Sequence, residues 1–242
     1  MQKIVDELNT LIDQAEKARV ADPTFLRDLA RGFHRPWQKL VLVDDFGDGD
    51  FTAGPAWTVS AGRYWVERNW GLHSTVTAAR AVPKEEPRGK TSGRDAARPA
   101  SAEPEFAAIH SPVPISNAFA IEIEVSSWMD QGRFDLGTYQ GADRITGYRL
   151  AYTPGGPLEQ LRVSVRGAAT IDSSRQTLTL EDKKTHQIEW TRGVDGIMKV
   201  ALDGKEVLAV TDRGTRDPFD GFMIVNRGGD YIVKRAAIYG VE

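Results

Sequence analysis

Two hydrophobic periods divide the chain. Within the first 38 residues, apolar side chains recur at spacings of three and four, which predicts amphipathic helix. The main stripe consists of Ile4, Leu8, Leu11, Ile12 and Ala15. A second, shorter stripe follows Asp22 and Pro23, which suit a helix cap and a first helical position. We therefore predict an N-terminal helical hairpin within residues 1–38.

From about Leu40 the period changes to two, the period of a half-buried β-strand. Residues 119–125 and 161–165 alternate apolar and polar side chains in this way. Asp203 and Gly204 join two such segments, and this pair favours the positive φ angles of a type I′ hairpin. At least ten short segments of this kind follow one another without an intervening helix. The predicted fold class is mainly β, a two-sheet antiparallel sandwich over residues 39–242.

One segment interrupts the alternation. Residues 82–114 are rich in proline, glycine, serine and charge, and they contain few large apolar side chains. Such a composition offers little burial to offset the entropy lost on ordering the chain. We interpret residues 82–114 as a long irregular surface loop within the β domain.

Composition excludes several classes of function. The chain of 242 residues has no cysteine, so disulfides, thiolate zinc sites and iron–sulfur clusters are excluded. Its net charge of -3, with 31 basic and 34 acidic residues, argues against nucleic-acid binding. No apolar run is long enough to span a membrane. The first residues lack a signal-peptide pattern, so we expect a cytoplasmic protein, or a periplasmic or extracellular one if the chain is an excised domain.

Aromatic and turn residues at both ends of the β region carry a resemblance to a known superfamily. They lie in residues 43–51 (VDDFGDGDF), 55–66 and 186–208, and in the closing strand that ends near Tyr239. These segments resemble the first and last strands of concanavalin A-like lectin/glucanase domains, including laminin-G-like members. The resemblance covers roughly residues 40–242. It implies a jelly-roll sandwich.

The glucanase branch of this superfamily carries three alternating acids on one strand, which serve as nucleophile, helper and acid/base. The nearest segment here contains Glu122 and Glu124, but Ser126 or Ser127 stands where the third acid would be. The resemblance therefore does not extend to the catalytic motif. We expect no β-glucan hydrolysis.

A cluster of acidic residues near the first strand is a candidate ion site. Calcium prefers six to eight oxygen ligands, and glycines beside carboxylates allow backbone carbonyls to contribute. The same residue types are also common in turns that bind nothing. The candidate calcium ligands are Asp44, Asp45, Asp48 and Asp50.

Alternation also assigns candidate ligand-binding residues. If Phe134 and Leu136 point into the core, polar residues of the same segment lie on the opposite side. Arginine, aspartate and tyrosine on one sheet surface offer the planar hydrogen bonds and aromatic face that sugars need. The candidates are Trp128, Arg133, Asp135, Tyr139, Arg149 and Arg162.

Our first functional hypothesis is a non-catalytic binding module for an oligosaccharide, a polysaccharide or a similar polar ligand. Two alternatives remain. The chain is a structural or protein-interaction domain that self-associates through its N-terminal helices, or it is a degenerate glycoside hydrolase.

The predicted helical segment yields a test. Its apolar stripe is too short to form a stable isolated helix and must be buried against the sandwich or a second chain. Deleting residues 1–32 is therefore expected to lower the melting temperature or to cause aggregation. Calorimetry and light scattering on the truncated protein check this. Unchanged melting temperature, oligomeric state and solubility would contradict it.

Overall fold

The described part of the chain is built entirely from strands and their connections. A computed structural model describes residues 37–77 and 106–241. No helix capable of crossing a membrane occurs in these two ranges. The predicted helical hairpin lies outside them, apart from the last two residues of segment 1–38.

Fifteen strands follow one another along the described residues. In chain order they are β1 (Lys39–Asp44), β2 (Thr58–Ala61), β3 (Trp65–Glu67), β4 (Gly71–Val76), β5 (Ala107–Ser111), β6 (Phe119–Ser127), β7 (Phe134–Gln140), β8 (Thr146–Tyr152), β9 (Pro157–Ser164), β10 (Gly167–Thr177), β11 (His186–Arg192), β12 (Ile197–Leu202), β13 (Lys205–Thr211), β14 (Gly221–Asn226) and β15 (Gly229–Gly240).

The strands form two sheets in which every pair is antiparallel. The eight-stranded sheet has the order β13-β12-β11-β6-β15-β4-β3, and β1 also pairs with β15. The seven-stranded sheet has the order β10-β9-β8-β7-β14-β5-β2. Neighbouring strands are often distant in sequence, as β6 and β15 are. The predicted mainly β, two-sheet antiparallel sandwich is confirmed.

The core lies between the two sheets. Ile121, Ile123 and Val125 of β6 are fully buried, as the alternation requires of an inward face. Phe134 of the seven-stranded sheet stacks on Tyr231 of the eight-stranded sheet, with ring centroids 4.7 Å apart. Contacts of this kind hold the sheets together and fix which residues point outward.

A buried cation closes one end of this core. Arg192 at the end of β11 lies over the ring of Tyr148, 5.6 Å from its centroid. Its guanidinium donates to the backbone carbonyls of Asp212, Thr215 and Asn117 at 2.8–3.1 Å. These bonds anchor the β13–β14 connection to the sandwich, since an unpaired buried charge would be costly.

The prediction of an irregular loop at 82–114 is wrong for residues 107–111. Residues 107–111 form β5, which pairs with β14 on one side and β2 on the other. All five residues are buried. The small side chains of Ala107 and Ala108 hid the strand from a search for large apolar residues, although they fit a crowded interior position. Residues 82–105 lie outside the described residues.

The predicted hairpin turn is confirmed. Asp203 and Gly204 both have positive φ, 51° and 78°, and join β12 to β13. Such angles match the twist of paired strands. The aspartate also accepts a hydrogen bond from the Gln187 amide at 2.8 Å, which ties the turn to β11.

His186 links this turn to the connection before β11. Its Nδ1 lies 2.8 Å from Asp203 Oδ2 and its Nε2 lies 2.9 Å from Asp182 Oδ1. Burial opposes the positive charge, but the hydrogen bonds to Asp203 and Asp182 outweigh that effect. The pKa of His186 is therefore raised above its ordinary value.

A raised histidine pKa predicts pH-dependent stability. The two carboxylate contacts stabilise the fold fully below the unfolded-state pKa of about 6.5, and this stabilisation is lost as pH rises through the folded-state pKa. The stability advantage of the native protein over His186→Gln should therefore be larger at about pH 5.5 than at about pH 9. Urea unfolding of both proteins measures it. A difference that stays constant or grows with pH would contradict the assignment.

Candidate functional site

The outer face of the seven-stranded sheet gathers most of the predicted ligand-binding residues. Phe134 and Leu136 of β7 are in the core, so Arg133, Asp135 and Tyr139 lie on the opposite side. Across the sheet, β14 and β8 flank β7. The outward residues of three adjacent strands therefore form one continuous surface.

Asp135 organises this surface although it is buried. Its Oδ1 accepts a hydrogen bond from Arg133 Nε at 2.6 Å, and its Oδ2 accepts one from Arg227 Nε at 3.1 Å. Only 2% of the Asp135 side chain is exposed, against 32% for Arg133 and 40% for Arg227. The carboxylate thus holds two guanidiniums in fixed positions while their outer atoms remain at the surface.

Two tight turns bring Arg133 and Arg227 together. The Arg227 amide donates to the Arg133 carbonyl at 2.8 Å, just beyond the ends of β7 and β14. Gly132, with φ of 86°, lies so close to Gly228 that an added Cβ would fall 2.0 Å from the Gly228 carbonyl oxygen. Only glycine allows this approach of the two turns.

Arg149 of β8 lies beside this pair. It is the cross-strand partner of Gly137, whose missing side chain leaves room for the arginine stem. Burial lowers the pKa of Arg149, and the nearby Arg227 and Arg133 lower it further, whereas Asp135 raises it. We call Arg133, Arg149 and Arg227, together with Asp135, the arginine face.

Aromatic residues lie further along the same outer surface. The rings of His110 and Tyr139 meet edge to face, with centroids 6.0 Å apart. Burial, followed by the charge of Arg144, lowers the pKa of His110, so its imidazole is neutral near pH 7. Its buried Nδ1 has no hydrogen-bond partner among the described residues. Met223 packs with Tyr139 in a small apolar cluster between these groups.

Two predicted ligand-binding residues lie elsewhere. Arg162 of β9 is the cross-strand partner of the core residue Tyr148, so it lies on the inner side of the sheet, where its Nη1 meets the Asp212 carboxylate at 3.2 Å. Trp128 packs edge to face on Trp70, which precedes β4 of the other sheet, with centroids 5.6 Å apart. The structure therefore brings together four of the six candidates: Arg133, Asp135, Tyr139 and Arg149.

Comparison with solved structures identifies the architecture. A carbohydrate-binding module, CBM66 from Bacillus subtilis, aligns with a TM-score of 0.50 over 76% of this chain and 92% of its own, at 13% identity. A protein of unknown function with a galectin-like fold, also from Bacillus subtilis, aligns with 0.58 over 84% and 96%, at 9% identity. The chain has a concanavalin A-like, galectin-like fold.

Two further structures share this sandwich. The Emp46p carbohydrate recognition domain, in its metal-free form, aligns with a TM-score of 0.54 over 80% of this chain and 93% of its own, at 12% identity. Beta-agarase A in complex with oligoagarose aligns with 0.55 over 84% and 92%, at 10% identity. No protein-family model matches the sequence, and no curated protein matches it.

The candidate calcium ligands of this concanavalin A-like chain act as turn-forming residues. Asp44 accepts hydrogen bonds from the Phe46 amide at 2.8 Å and from Trp57 Nε1 at 2.9 Å. Asp45, Asp48 and Asp50 each accept a bond from the amide two residues later. Among the described residues, no group of three or more acidic or histidine side chains is arranged to hold a metal. The calcium site at these four residues stays a prediction from the sequence.

The acids of β6 lie on the eight-stranded sheet. Glu122 is buried and its Oε2 lies 3.4 Å from Arg235 Nη1. Glu124 is the cross-strand neighbour of Arg235 on β15. Both acids lie on the outer side of this sheet, and Arg235 lies next to both of them. They are therefore remote from the arginine face, which belongs to the other sheet.

Sequence reasoning missed Arg227, His110 and Arg144. Arg227 lies in the glycine-rich turn between β14 and β15, and His110 lies in the segment that we interpreted as a long loop. The signal that relates Arg227 to Asp135 is the pairing of β14 with β7, which are 80 or more residues apart. No local pattern contains that information.

The role of Asp135 is testable by charge removal. Asp135→Asn leaves Arg133 and Arg227 without their shared counter-charge, and we expect it to lower the free energy of unfolding by about 1–3 kcal/mol. Glu159→Gln is the control, because Glu159 is one-third exposed and 3.8 Å from Arg133. We expect that change to cost less than about 1 kcal/mol. Equal costs in urea unfolding would contradict an organising role for Asp135.

Proposed function

We propose that this protein is a carbohydrate-binding module that uses the arginine face to bind an oligosaccharide or polysaccharide. The observation that carries the proposal is the hydrogen-bonded arrangement of Arg133 and Arg227 on Asp135, next to Arg149. Burial of this carboxylate is costly, and its two ion pairs offset the cost while the outer atoms of both arginines stay partly exposed.

The chemistry of the surface suits a sugar. Adjacent sugar hydroxyls lie at a spacing that a planar guanidinium can contact with two nitrogens at once. Arg149 and the terminal nitrogens of Arg227 supply such donors, while the exposed ring of Phe106, 5.3 Å from the Arg227 guanidinium, supplies apolar surface beside them. Binding sites combine apolar surface with a few fixed polar groups in this manner.

The structural neighbours support the same proposal. Two of the four reported neighbours are named as carbohydrate-binding or carbohydrate recognition domains, and a third was solved with oligoagarose. Fold alone does not imply function, so the proposal depends on the side chains of the arginine face. A binding role is favoured over hydrolysis because both carboxylates at this surface, those of Asp135 and Glu159, already lie against guanidiniums.

A glycan screen with matched variants tests the proposal. The complete chain is applied to an array of neutral and acidic oligosaccharides and polysaccharides, and hits are measured by calorimetry. We expect Arg149→Ala and Arg227→Ala to weaken binding of a hit by about tenfold or more, since each removes charged hydrogen bonds. Arg68→Ala is the control, because Arg68 is an exposed arginine in the turn before β4 of the other sheet.

The outcomes are distinct. Binding that falls in Arg149→Ala and Arg227→Ala but not in Arg68→Ala supports the arginine face as the site. Binding that is equal in all variants places the sugar elsewhere and contradicts the proposed site. The absence of any glycan ligand contradicts the function itself. Circular dichroism melting of each variant separates lost binding from lost folding.

A further inference from the structure

We propose that the glycan bound at the arginine face carries an anionic group, a carboxylate or a sulfate ester, that Arg149 contacts directly. This inference rests on the proposed function, because it names the substrate class of the same surface.

The accessible charge of the face is positive. Three guanidiniums, those of Arg133, Arg149 and Arg227, share two carboxylates, those of Asp135 and Glu159. The Asp135 carboxylate is buried beneath the arginines, with 2% of its side chain exposed. A ligand that approaches the sheet therefore encounters guanidinium groups, and its main acidic neighbour is the partly exposed Glu159.

Arg149 has unused hydrogen-bonding capacity. Its guanidinium makes no hydrogen bond or ion pair with another described residue, and its only favourable charge partner in the cluster is Asp135, whose two oxygens already bind Arg133 and Arg227. Burial and the two neighbouring arginines disfavour the positive charge of Arg149, and they lower its pKa for that reason. A ligand anion would relieve this imbalance, whereas a neutral sugar would cover the cation without supplying a counter-charge.

The other two arginines are held in an orientation that suits the same anion. Asp135 contacts both through Nε, so the terminal nitrogens of Arg227 remain available. The ring of Phe106 lies 5.3 Å from the Arg227 guanidinium and further restricts its plane. Preorganised guanidiniums bind carboxylate and sulfate oxygens with two parallel hydrogen bonds. The ordering cost of these side chains has thus been met before the ligand binds.

Pairs of polysaccharides that differ only in charge test the inference. The first pair is a polygalacturonate oligosaccharide and its methyl ester, and the second is a sulfated galactan and its desulfated form. We expect the anionic member of one pair to bind the complete chain about tenfold or more tightly than its neutral counterpart at low salt. This ratio should fall as NaCl rises from about 50 to about 500 mM, because exposed charges are screened. The pair that shows the effect distinguishes carboxylate from sulfate.

Variants of Arg149 assign the effect to one residue. Arg149→Gln should reduce the preference for the anionic member to near unity, because it weakens binding of the anionic member more than binding of the neutral one. Arg149→Lys should retain part of the preference, because lysine keeps the charge but lacks the planar pair of donors. Arg68→Gln is the control, because it removes one positive charge that is remote from the seven-stranded sheet. Melting temperatures confirm that each variant is folded.

Failure of this inference differs from failure of the proposed function. If the neutral members bind as tightly as the anionic ones, the anion preference is overturned while carbohydrate binding at the face stands. If neither member of either pair nor any other glycan binds, the proposed function fails as well. If polyglutamate binds as tightly as the anionic glycans, the sugar does not contribute and the inference is overturned. An anion preference that persists in Arg149→Gln overturns the role of that residue.

Discussion

Burial of apolar side chains between the two sheets is the constraint on which the surface chemistry depends. Strand residues alternate between two sides, so the placement of Phe134 and Leu136 in the core forces Asp135 outward. A shift of β7 by one residue would turn the acid toward the core and the apolar residues toward the outer side of the sheet. The stacking of Phe134 on Tyr231 opposes such a shift because it links β7 to the other sheet. The core therefore sets the orientation of the arginine face.

The arginine face also requires the register between strands. β14 pairs with β7 so that Val225 lies opposite Asp135, and the turn after β14 then carries Arg227 to Arg133. On the other side, β8 places Arg149 opposite Gly137. The consecutive strands β7 and β8 and the distant strand β14 thus converge on one carboxylate. A site built on paired strands is more rigid than one built on loops, and rigidity favours binding by reducing the ordering cost.

Arg192 and Asp135 are both buried, and their charges are compensated differently. Arg192 closes one end of the core, and its terminal nitrogens donate to backbone carbonyls that include two of the β13–β14 connection. Asp135 is satisfied by two arginines that remain partly exposed. The first arrangement lies inside the fold. The second leaves guanidinium groups partly exposed at the surface, where their remaining donors can contact a ligand.

The sequence by itself determined the class of fold and the side of β7 on which its polar residues lie. Two-residue alternation and the Asp203–Gly204 turn are local signals, and they suffice for strands and hairpins. These local signals were insufficient to predict β5. Its small alanines give no strong apolar alternation, and they are buried only because β14 and β2 lie beside them. The local signals also assigned Arg162 and Trp128 to the ligand-binding surface, although neither residue lies on the arginine face. Only the tertiary structure decided which strands are neighbours, because pairing between residues far apart in sequence depends on the packing of both sheets. The hydrogen bond between Arg227 and Asp135 exists because β14 pairs with β7.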